Sequence, residues 1–118
     1  MGYAAAVEVT CLLDNAPYAN LTKRLEVPFL PFVGMYMGFK MKKIGSSEEK
    51  MYRALATACS NSTGIIRVES VFCYPGGNAA GDVLRLLAEP IPEQYEAAVA
   101  AYVKLMQTFY GFEVELLV

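Results

Sequence analysis

The sequence predicts an α+β fold: an antiparallel sheet of four to five strands with a C-terminal amphipathic helix packed on one face. Three observations carry that prediction. Side chains alternate with a period of two near both ends of the chain and on both sides of a Gly-rich reversal in its second half. A single strong helical stripe lies between Pro92 and Gly111. Hydrophobic residues make up 55% of the 118 and charged ones only 19%, a mean hydropathy of +0.31, which is more apolar material than one small core absorbs. The length suits one α+β domain over residues 1–118.

The first strand is expected over Tyr3–Leu13, where Tyr3, Ala5, Val7, Val9, Cys11 and Leu13 alternate with Glu8 and Thr10. Asp14, Asn15, Pro17 and Asn20 then read as a loop, because Asx side chains and proline favour turns. From Leu25 to Met41 the odd positions are again apolar, predicting one bent strand or two in-line strands, with Pro28 and Pro31 at an edge or bend and Gly34 turning the chain. In its middle Phe29, Leu30, Phe32 and Val33 are apolar on both faces, so the segment needs cover from both sides.

Ser46 and Glu49 have capping-box spacing, and Met51, Tyr52, Leu55, Ala58 and Cys59 follow on one stripe, predicting a helix from Ser47 to about Ser60. A strand over MYRALATAC, pairing back on MYMGFKMKK, is the alternative. Residues Ile65–Glu89 read as a hairpin about which the rest is organised. One strand places Val68, Phe72 and Tyr74 on a face, the other Leu84, Leu86 and Ala88, with Pro75, Gly76, Gly77, Asn78 and Gly81 reversing direction between them. GDVLRLLAE also fits a short helix. Pro92 is placed in the first turn of the last helix, whose stripe is Tyr95, Ala98, Val99, Tyr102, Met106 and Phe109, and FEVELLV predicts a last short strand.

A net charge of −2 and a pI near 5.1 supply no global field for nucleic acid, so such a partner is not expected. The longest uncharged run, Val27–Phe39, is too short and too broken by Pro and Gly to span a bilayer, and no membrane association is expected. MGYAAAVEVT lacks the basic stretch of an export signal, and the widely spaced Cys11, Cys59 and Cys73 suit buried thiols better than a disulfide framework or a zinc site, so a cytoplasmic protein is expected.

With no histidine, the commonest general base and imidazole ligand is missing, and no cofactor, metal or catalytic residue is assigned. Cys73, beside the Gly-rich loop, is the thiol nearest a plausible surface site, but no basic neighbour in sequence activates it. The loop Pro75–Asp82 fits a strand connector better than a phosphate cradle, since GGNAAG matches neither GxGxxG nor a P-loop. Lys40, Lys42, Lys43, Lys50 and Arg53 concentrate positive charge, with Glu48 and Glu49 among them, as on a solvated face.

The leading expectation is therefore a small non-enzymatic interaction or assembly module. It would form a homo-oligomer, or bind another protein, through Phe29, Leu30, Phe32, Val33 and Tyr36. The alternative is a small-molecule-binding or sensory domain with a pocket between sheet and helix, lined by Phe72, Tyr95 and Tyr102. An enzyme comes third.

Overall fold

The computed structural model describes residues 2–118. Its elements run β1 (Tyr3–Leu13), β2 (Ala16–Val27), β3 (Tyr36–Gly38), α1 (Ser46–Ala58), β4 (Ile65–Cys73), β5 (Leu84–Ala88), β6 (Ile91–Glu93), α2 (Glu96–Tyr110) and β7 (Glu113–Leu116). The class is α+β, with seven strands in a mostly antiparallel sheet ordered β3-β4-β5-β1-β2-β7 and β6 continuing beside β1. Two pairings are parallel, β1 with β5 and β1 with β6. Pro90, which cannot donate to a ladder, separates β5 from β6.

Seven strands replace the four to five expected, and β2 and β6 are the additions. Asp14 and Asn15 alone make the turn, both at positive φ (48° and 66°), the pairing that a tight two-residue hairpin requires. Pro17 therefore lies inside β2, opposite Leu12 where the register shifts, and Asn20 lies in mid-strand between Thr10 and Glu115. A bulge admits a proline that a regular ladder rejects. The long strand expected from Leu25 to Met41 is also corrected. Leu25 and Val27 end β2, residues 28–35 form no ladder, and only Tyr36–Gly38 pair again. Pro92 belongs to β6 instead of the helix, whose first residue is Glu96.

One face of the sheet carries the core. Val7, Val9, Cys11, Ala19, Leu21, Val68, Leu84 and Leu86 pack beneath Val99, Tyr102, Leu105, Met106 and Phe109 of α2. Helix α2 closes at Gly111, whose φ of 73° is the left-handed cap that glycine adopts without strain. Helix α1 buries no residue of its own and leans on α2 through an edge-to-face contact between Tyr52 and Phe109, 5.3 Å apart. Its cap is Gly45, one residue before the expected Ser46, and the Gly45 N–H donates to Glu48 Oε1 at 3.3 Å.

The hairpin β4–β5 is where the sequence placed it, but a bulge at Glu69 shifts its phase. Val68 points into the core, whereas Phe72, opposite Arg85, emerges on the far face. There the Arg85 guanidinium lies 5.7 Å from the Phe72 ring centroid and pairs with Glu8.

Candidate functional site

The connection from β2 to β3 has a fixed geometric task. It leaves β2, passes β1, β5 and β4, and joins the outer edge of β4. Four inter-strand spacings amount to about 19 Å. The eight residues Pro28–Met35 reach about 26 Å when fully extended, enough to make the crossing with length left for a turn at its end. Prolines at 28 and 31 favour extension and forfeit no ladder bond there. Pro31 is buried while its neighbours are not: Phe29, Leu30, Phe32 and Val33 are 47, 56, 65 and 63% exposed, and Tyr36 on β3 is 66% exposed.

The end of this segment is held firmly. Met35 N–H donates to Phe32 O at 3.2 Å, closing a four-residue turn with Gly34 third at φ 92°, as a type II turn demands. Gly34 N–H then donates to Val68 O at 2.7 Å, and Val68 N–H to Met35 O at 2.8 Å. Arg67 completes the clip, with Nε on Gly34 O at 3.3 Å, Nη1 on Glu89 Oε1 at 3.0 Å and its guanidinium carbon 5.8 Å from the Tyr36 ring centroid. Phe32 and Val33 thus stand at the corner of a pinned turn, in water. The need of Phe32 and Val33 for cover beyond the single copy is legible in the sequence; the part played by Arg67 is not, because it depends on which strand the segment meets.

The three aromatics expected to line a pocket are not brought together. Tyr102 is fully buried beneath α2, Tyr95 stands in solvent at the start of that helix, and Phe72 is on the opposite face of the sheet. The space between sheet and helix is filled by core side chains. Among the described residues, none hydrogen-bonds the buried Tyr102 Oη, and burial, with Cys11, Cys59 and Glu93 nearby, raises its pKa.

A buried carboxylate lies close by. Glu93 accepts from Ser60 N–H (3.0 Å), Ser60 Oγ (2.7 Å), Asn61 N–H (3.2 Å) and Asn61 Nδ2 (2.7 Å). Burial alone would raise its pKa, but these four donations outweigh it and leave Glu93 below the usual glutamate range. With its acceptor positions filled, Glu93 is a clamp between β6 and the end of α1, not a free base. Cys11 is buried, and desolvation, then the Glu93 charge, pushes its thiol up to about 12. Cys59 is raised for the same reasons; Cys73 is exposed.

The Gly-rich loop spends its amides on itself. Asn78 Oδ1 accepts from Ala80 N–H and Asp82 N–H, and the N–H groups of Gly77 and Gly81 bond Tyr74 O and Asn78 O. Asp82 is buried beside Arg24. Positive charge collects elsewhere, in a cleft of about 670 Å³ beside the end of α2, where Lys23 joins Lys40, Lys42 and Lys43. The signal for Lys23 was in its parity: it shares the core-facing stripe of Leu21 and Leu25, an odd place for a lysine.

No family model, curated protein or solved structure matches the chain. Among the described residues, no helix is long and apolar enough to cross a membrane.

Proposed function

We propose that the chain is a non-enzymatic assembly module that pairs with a second copy of itself through Phe29, Leu30, Phe32, Val33 and Tyr36. One observation carries this reading: five large apolar side chains, each about half exposed or more, follow one another on a stretch whose Phe32–Met35 turn is held by backbone bonds. Scaled by ordinary side-chain areas they offer about 600 Å² per copy, so two copies reach the lower limit of a specific interface, about 1,200 Å² in all. Val27–Phe39 carries no charge, and the guanidinium lying against it, Arg67, is paired with Glu89, so laying the patch on itself meets little like-charge repulsion. A pinned turn also loses little conformational entropy on docking. The three free cysteines suit a reducing, cytoplasmic setting.

The test is light scattering coupled to size exclusion at micromolar concentration. The wild-type chain should elute as a dimer and Phe32→Glu as a folded monomer. A monomeric wild type, or a Phe32→Glu variant that stays dimeric, would falsify the proposal.

A further inference from the structure

All four arginines are matched to carboxylates: Arg24 to Asp82 at 3.5 Å, Arg53 to Glu49 at 2.6 Å, Arg67 to Glu89 at 3.0 Å and Arg85 to Glu8. The lysines are treated differently. Four of the six line the single cleft between residues 40–43 and the last turn of α2, and no carboxylate shares that lining. Lys42 reaches Glu48 only at 3.9 Å with both side chains about half exposed, a pair that neutralises little. Lys23 Nζ donates to Tyr110 O at 2.6 Å, but a carbonyl leaves its charge uncancelled. Among the described residues, Lys40 and Lys43 form no ion pair.

Capping of the helix does not account for this concentration. Tyr110 O is taken by Lys23, Phe109 O accepts from the Lys42 backbone N–H, and Met106 O accepts from Gly111 and Phe112 N–H groups. The carbonyls of Met106, Phe109 and Tyr110 are thus supplied with donors before Lys40 or Lys43 is counted. Edge protection does not account for it either, because Lys23 arrives from β2, on the other side of the sheet centre from β3. The remaining surplus, about three positive charges on a chain whose net charge is −2, faces a concavity that Met41 and Thr108 also line.

We infer that this cleft binds a small molecule carrying two or more phosphate groups. Several clustered positive charges favour a polyvalent anion over a monovalent one. Lysine binds phosphate as a point charge and needs no planar match. The cleft, at about 670 Å³, falls in the ordinary size range of small-molecule sites and exceeds what one phosphate fills. The site is separate from the Phe32 turn and does not require a second copy.

The experiment is calorimetric titration of the whole chain with tripolyphosphate at about 0.1 M salt, where distant surface charges are screened. Adenosine serves as the uncharged arm and a single-stranded thymidine oligonucleotide as the macromolecular arm. Saturable one-to-one binding of tripolyphosphate is expected, with none to adenosine. A Lys40→Gln/Lys43→Gln double variant, both positions being exposed, should keep its circular dichroism and weaken binding about tenfold or more. Lys104→Gln, outside the cleft, should bind as wild type. Absence of saturable binding, or an unaffected double variant, overturns the inference. So does an oligonucleotide that binds more tightly than tripolyphosphate, which would mark a nucleic-acid surface instead.

Discussion

Glu93 and Phe32 occupy each other's expected environments. The carboxylate is almost wholly buried, and the phenyl ring is 65% exposed. A chain that shields a charge so thoroughly has not run short of ways to cover side chains. The Glu93 clamp shows what interior placement of a polar group costs in partners: two N–H groups, a hydroxyl and an amide converge on it. The turn at Phe32 spends comparable bonding to the opposite end, using Gly34, Met35 and Arg67 to hold apolar side chains outward. The contrast separates bonding that serves folding from bonding that serves presentation.

The interior side of the contrast should break most readily. Phe109 is buried against Tyr52 within the core, so Phe109→Ala should cost about 3–5 kcal/mol through lost burial and the cavity left behind, measured by urea unfolding. Glu93→Gln comes next. An amide keeps one acceptor oxygen but turns its own N–H groups toward donors, so a loss of about 2–3 kcal/mol is expected. Its pH dependence sharpens the point. Folded Glu93 titrates below an unfolded glutamate, whose pKa is about 4.3. The clamp's contribution is therefore fully present above that value and is lost as the pH falls through the folded value. Unfolding curves taken from neutral pH to pH 3 should show the gap between wild type and Glu93→Gln narrowing only at the acid end. A gap independent of pH would remove the charge from the account.

On the presentation side, Gly34→Ala should cost about 1–2 kcal/mol, because φ 92° places a Cβ in a region that L side chains avoid. The added methyl itself has room, its nearest neighbour being Arg67 Nη2 at 3.7 Å, so the penalty belongs to the backbone. Equal stability in urea would mean that the turn is not held as described.

How much of this was legible depends on the range over which each feature is decided. The hairpin β4–β5, the stripe of α2 and the strand β1 follow from side chains a few positions apart, and they stood in the sequence. β2 was lost because Pro17 and Asn20 carry loop propensity, and only pairing with β1 and β7 on both sides overrides it. Phe72 leaves the core face that its parity predicts because a bulge one residue long reverses every later side chain, and nothing local announces it. The patch at Phe29–Val33 was legible in composition and illegible in form. Its two-sided apolarity was visible, but its identity as a crossing from β2 to the edge of β4 follows from strand order, which is a global property.

The smallest effect on stability is expected from Phe32→Glu, within about 0.5 kcal/mol for an exposed site, and that near-neutrality is what makes the variant informative. If Phe32 lies in water in the single copy and is covered in the dimer, mass action ties wild-type stability to concentration, so its melting temperature should rise as protein is raised over two decades. Phe32→Glu should melt at the temperature of the dilute wild type and stay there at every concentration. A flat wild-type series would place the ring in water under all conditions. A variant that melts far lower even when dilute would show that the turn contributes to the fold of the single chain, and the division between interior bonding and presented surface would then fail at its outer end.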